Sequence, residues 1–195
     1  MNTAREAAKA IVKGRLLGPF KRLVESLVLH PEDMTFELLE GRFSEGMVGI
    51  PVYVVSLRPH RADFPRLFGK HRKMFQAIEE IARSIGECSG YGVKMGRLLE
   101  DGPGVHDYYS GRRDWRDGRK KLVEMLGEIC PIMFRGEAPV VELIENDPVF
   151  DTLIRIKVSP DDPLRLTDKR DALQVVAKTF CAGYGKLPQV EIEQG

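Results

Sequence analysis

The chain repeats itself. The octapeptide KRLVESLV at residues 21–28 returns as KKLVEMLG at residues 120–127, an offset of 99 within 195 residues. A repeat on this scale restricts the fold to two copies of one unit, each with its own small core. Each octapeptide is followed by a proline-containing break and two strand-like stretches. The second stretch is VGIPVYVVSL (48–57) in the first copy and DTLIRIKVS (151–159) in the other, ending at Pro59 and Pro160. In the second of these, Leu153, Ile156 and Val158 carry the apolar pattern.

Beyond the prolines come RLFGKHRKMFQAI (66–78) and RLTDKRDALQVV (165–176), which align at Arg-Leu, Lys, Arg and Gln. Phe75, Ile78, Ile81, Ala82 and Ile85 then fall at helical spacing up to Gly86, and Leu173, Val176, Ala177 and Phe180 do so up to Gly183. A last strand, YGVKMGRLLE in one copy and PQVEIE in the other, closes each unit. The order predicted for both is helix, strand, strand, helix, turn, helix, strand. The fold class is thus α/β in the mixed, α+β sense, with two tandem units, each a three-stranded sheet packed by helices on one face. Between them lies DGPGVHDYYSGRRDWRDGR, rich in Gly, Asp and Arg without apolar periodicity, the composition of a linker. The boundaries follow: a helical extension at 1–18, a first domain at 19–101, a linker at 102–118 and a second domain at 119–195.

The turn GKHR at Gly69, Lys70, His71 and Arg72, set between a short helix and a long one, resembles the Gly-x-x-Gly turn of small bacterial KH-domain RNA-binding proteins of type II topology. The resemblance covers residues 19–101, with a degenerate second copy over 119–193. It implies non-catalytic binding of single-stranded RNA: the turn clamps the sugar-phosphate chain with N–H groups at the start of the second helix. Arg72 stands where the family has its second glycine. That hinders close approach of the backbone, while an arginine offers a charged fork to phosphate instead.

Charge supports this placement. Residues 1–121 carry a net +6 and residues 122–195 a net −5, within a total of +1. Arg58, Arg61, Arg66, Lys70, Arg72 and Lys73 surround the turn against a single Asp63. Arg66, Gly69, Lys70, His71, Arg72 and Lys73 are therefore the expected RNA-binding residues, with Arg58 and Arg61 as secondary contacts. A second basic cluster, Arg112, Arg113 and Arg116, is interleaved with Tyr108, Tyr109 and Trp115, which can stack on bases or pin the linker to the domains. The second copy has Thr167, Asp168, Lys169 and Arg170 at its turn, with Asp161, Asp162 and Asp171 nearby. Carboxylates repel phosphate, so this unit is read as structural or as a surface for a protein partner. The alternative for the whole chain is a protein-interaction or scaffold module that keeps the KH shape without binding RNA.

Other chemistries find little support. His30, His60, His71 and His106 lack metal-ligand spacing, and no metal or other cofactor is expected. Cys88, Cys130 and Cys181 show no CxxC spacing and read as small buried apolar groups. With no nucleotide-binding glycine loop and no paired carboxylates in contrasting surroundings, an enzyme is not expected. The longest apolar runs are too short for a membrane span, and a charged N-terminus argues for a cytoplasmic protein.

Overall fold

The computed structural model describes residues 2–43, 50–98, 118–145, 152–162, 165–180 and 188–195. The chain divides into two compact units, Met1–Asp107 and Tyr108–Gly195. Each is a three-stranded sheet with helices against it. The proposed linker lies outside the described residues except for Gly118, and the division between the units falls inside it.

The first unit opens with helix α1 (Asn2–Arg15), a π-helical turn (Leu16–Phe20) and helix α2 (Lys21–Leu27). Pro19 does not break the chain direction here. It has no N–H to lose, and the wider π turn absorbs it. Val12, Leu16 and Phe20, four residues apart, are all fully buried. The N-terminal segment is consequently part of the core of this unit rather than an appendage. It is tied down by Lys9 to Glu40 at 2.8 Å and by Arg15 to the Ser89 hydroxyl at 2.6 Å.

Strands β1 (Thr35–Phe43) and β2 (Ile50–Arg58) pair antiparallel, and β2 pairs parallel with β3 (Gly92–Leu98), so β2 is central. On β2, Tyr53, Val55 and Leu57 are at most 1% exposed and mark the helix-covered face. The crossover to β3 runs through α3 (Phe64–Phe68) and α4 (Lys73–Glu87). All five apolar positions read from the α4 sequence are buried, and Phe75, Ile78, Ile81 and Ile85 contribute roughly 1.5–3 kcal/mol each. Gly86 does not stop α4, which runs one residue further. Its missing side chain makes room for β3: a Cβ there would lie 2.5 Å from the Tyr91 carbonyl oxygen. The turn itself is made by Gly90, at φ +65°.

The second unit consists of α5 (Gly118–Met133), β4 (Val140–Glu145), β5 (Thr152–Val158), α6 (Leu166–Phe180) and β6 (Gln189–Gln194). Here β4 pairs antiparallel and β6 parallel with the central β5. Ile154, Ile156 and Val158 face the helices, at 0–3% exposure, with Leu173, Val176, Ala177 and Phe180 of α6 buried as well. Strand alternation places Leu153 on the face opposite Ile154 and Ile156, correcting the pattern read from sequence.

The turn expected at Thr167, Asp168, Lys169 and Arg170 is absent. These residues form the first turn of α6, which begins at Leu166 without a preceding short helix among the described residues. Two features explain it: Asp168 stands where the turn of the first unit has Gly69, whose φ +71° and close approach to Met74 only glycine allows, and an aspartate favours the positive end of a helix. Among the described residues, no helix is long and apolar enough to cross a membrane.

Candidate nucleic-acid interface

Pro65 at the start of α3 supplies a preset φ, and Gly69 ends the helix by donating its N–H to the Pro65 carbonyl at 2.8 Å. Gly69 has φ +71°, and a Cβ on it would stand 2.8 Å from both the Cβ and the backbone nitrogen of Met74. Only glycine fits, for conformational and steric reasons together. The next residues reverse the chain through Lys70 and then two consecutive left-handed residues, His71 at φ 55° and Arg72 at φ 63°. Neither is glycine. Each carries roughly 1–2 kcal/mol of steric cost, held in place by the helices on either side.

Lys70, His71, Arg72 and Lys73 are four consecutive exposed residues. Among the described residues, neither Lys70 nor Lys73 forms an ion pair. Two phenylalanines that the sequence reading passed over lie alongside. Phe64 and Phe68, one helical turn apart on α3, stack at 5.6 Å with ring planes 14° apart. The Arg72 guanidinium sits 5.8 Å from the ring centroids of both Phe68 and Phe75, a cation–π arrangement. The FxxxF spacing on a helix was the available signal. Arg72 therefore does not extend freely from the turn, as a phosphate fork would.

One expectation about the backbone changes. The Arg72 N–H donates to the Gly69 carbonyl at 3.1 Å, and the Lys73 N–H donates to the Lys70 carbonyl. The turn thus consumes two donors that the resemblance assigned to a ligand. What it offers outward is side-chain charge.

Arg66 is half-buried near the end of α3, while Arg58 at the end of β2 and Arg61 after it are exposed. Asp63, counted against them as a surface charge, is fully buried and faces inward. It accepts the Leu29 and His30 N–H groups, each at 2.8 Å, and meets His30 Nδ1 at 3.0 Å. The local surface is more basic than the sequence count implies. Arg112, Arg113 and Arg116, with Tyr108, Tyr109 and Trp115, lie outside the described residues.

The corresponding region of the second unit has a different chemistry. Asp162 and Lys169 are buried at 0–1% exposure and paired at 2.9 Å, Asp162 also accepting the Arg135 N–H. Neither is a surface charge, contrary to the expectation from sequence. Arg165, just before α6, is left-handed at φ 56° and binds Asp168 at 2.6 Å, and Arg170 binds Asp171 at 2.8 Å. The exposed cations are neutralised locally. Of the cysteines, Cys130 is buried and its thiol is pushed up to about 12 by desolvation, whereas Cys88 is half-buried; Cys181 lies outside the described residues.

No protein-family model matches the sequence, and no curated protein matches it at a significant level.

Proposed function

We propose that the first unit binds single-stranded RNA, without catalysis, as a KH-like module whose Gly69–Arg72 turn holds the sugar-phosphate chain. The observation that carries this reading is the row Lys70, His71, Arg72 and Lys73, exposed and next to the stacked Phe64 and Phe68. Cationic side chains hold phosphates, and an adjacent aromatic face receives an unpaired base. The large exposed apolar residues among those described, Ile11, Leu17, Leu39 and Val140, all lie on other elements. The turn is thus a polar surface rather than an apolar patch. The second unit serves the first structurally or carries a protein partner.

A titration of the full chain with mixed-sequence single-stranded RNA across a salt series tests the reading. Three to four phosphate contacts release counterions with a slope of about −2 to −3 in log K against log salt. Salt-independent binding, or none at low salt, overturns it. The rival reading, a protein-interaction module of the same shape, is favoured by the engagement of Arg72 with Phe68 and Phe75, and absence of RNA binding at low salt would select it.

A further inference from the structure

We propose that His30, His60 and Asp63 form a binding site for one divalent transition-metal ion of the zinc type. His30 follows α2, and His60 and Asp63 lie between β2 and α3, so the chain brings two separate loops together. One ring nitrogen of each histidine and one Asp63 oxygen lie within 4.8 Å of one another. The imidazole rings are 4.4 Å apart at 48°.

Two ligands at bond lengths near 2.1 Å on a tetrahedral ion are about 3.3 Å apart. The His30 Nδ1 to Asp63 Oδ2 distance of 3.0 Å already approximates that spacing. His60 needs to close by at most about 1.5 Å to join them at tetrahedral spacing, within reach of side-chain rotation. Its Nδ1 accepts the Ala62 N–H at 3.3 Å, a long bond that is readily exchanged. In such a site His30 keeps its proton on Nε2, and the ion takes the place of the proton between Nδ1 and the carboxylate. The Leu29 and His30 N–H groups remain on Asp63 and orient it, as outer hydrogen bonds do around metal-bound carboxylates.

The second unit supplies the independent reason. Asp162 lies 99 residues beyond Asp63, the offset of the repeat, and is just as buried. A buried carboxylate is stabilised by hydrogen bonds and further by a counter-charge. Asp162 has a permanent one in Lys169 at 2.9 Å. Among the described residues, Asp63 pairs with no lysine or arginine; beside its two backbone donors it has the His30 ring at 3.0 Å and that of His60 within 4.8 Å, and imidazoles are ligands for zinc-type ions rather than for magnesium or calcium. A divalent ion fills at Asp63 the place that an ammonium fills at Asp162.

Metal binding to the full chain, measured by calorimetry with Zn2+ and by absorption with Co2+, tests this without reference to RNA. One ion per chain is expected. His60→Ala and His30→Gln should each weaken binding by at least about 10-fold, while His106→Ala binds as the unmodified chain does. Visible Co2+ bands of a nitrogen and oxygen set, without a thiolate charge-transfer band, give the same answer in the unmodified chain if a variant fails to fold. No ion bound, undiminished binding in the His30→Gln/His60→Ala double variant, or a thiolate band would overturn the proposal.

Discussion

Asp63 and Asp162 occupy one point of the repeat, and the two units neutralise them by different means. In the second unit a lysine from the following helix reaches back, seals the pair from water and also lies 4.7 Å from the Phe134 ring. In the first unit that helix is broken into α3 and α4. The chain at the matching place is the exposed basic turn, and Asp63 falls to His30 and two backbone N–H groups. The open sheet faces differ in the same direction. Both carry an exposed apolar residue, Leu39 on β1 and Val140 on β4, but beside β5 Lys157 pairs with Glu142 at 2.8 Å and Arg155 with Glu193 at 2.9 Å. At the matching segment the second unit pairs Arg165 and Arg170 with neighbouring carboxylates, while among the described residues Lys70 and Lys73 of the first form no ion pair.

The largest expected effect breaks the comparison at its buried pairs. Lys169→Met leaves the Asp162 carboxylate without its cation and should destabilise the second unit by about 3–5 kcal/mol, as uncompensated buried charge does. His30→Ala leaves Asp63 its two backbone donors and should cost about 1–3 kcal/mol. Chemical denaturation of both variants measures the difference, and equal losses would show that the two aspartates are held alike.

Next in size is the glycine. Gly69→Ala places a methyl against Met74 at a left-handed φ and should cost about 1–3 kcal/mol, read as a lower thermal midpoint. In the second unit, Thr167→Ala within α6 should change stability by about 0.5 kcal/mol or less, since the residue is exposed.

A third test concerns binding. Lys70→Asp with Arg72→Asp should abolish the RNA affinity of the unmodified chain, whereas Arg170→Asp with Lys178→Asp, on the exposed surface of α6, should leave it nearly intact. Lys169 is unsuitable for this control because it is buried. Equal losses in a filter-binding titration would mean that both units contact RNA.

Arg72 gives a finer test. Arg72→Gly and Arg72→Ala both lose the cation–π contacts, but only glycine relieves the left-handed strain at φ 63°. The glycine variant should be about 1 kcal/mol more stable than the alanine one. Both should lower the magnitude of the salt slope by about 0.7.

The smallest effect is a pH dependence on the second sheet. The hydrogen bond from Lys157 holds the Glu142 carboxyl below its usual 4.5. A depressed carboxyl contributes stability above its unfolded value, and that contribution disappears as the pH falls through the folded value. Lys157→Met should flatten the stability curve slightly below about pH 4.5, and only at low salt, because the pair is exposed.

The helices and strands were legible because their signals are periodic and local. Phe75 to Ile85 on α4 and Leu173 to Phe180 on α6 declare a helical face at spacings of three and four, and the same residues are buried. The Gly69 turn was legible as well, since a glycine next to a cluster of bases stands out in one dimension. Residue identities that align at Thr167 do not carry the same conformation. Arg165 to Arg170 matches Arg66 to His71 letter by letter in part, yet without a glycine the chain continues as helix.

By itself, the sequence determined the two-unit plan, the apolar faces that make each sheet and helix pack, and the charge asymmetry, all of which depend on residue type and spacing. Tertiary structure decided which charges are surface at all. Asp63, Asp162 and Lys169 read as solvated charges in one dimension and are buried in three. Their partners come from loops and helices 7 to 34 residues away. It also decided that His30 meets His60, and that Arg72 lies on Phe68 and Phe75. Burial and long-range pairing depend on where the backbone brings distant segments together, and no local pattern of side chains encodes that.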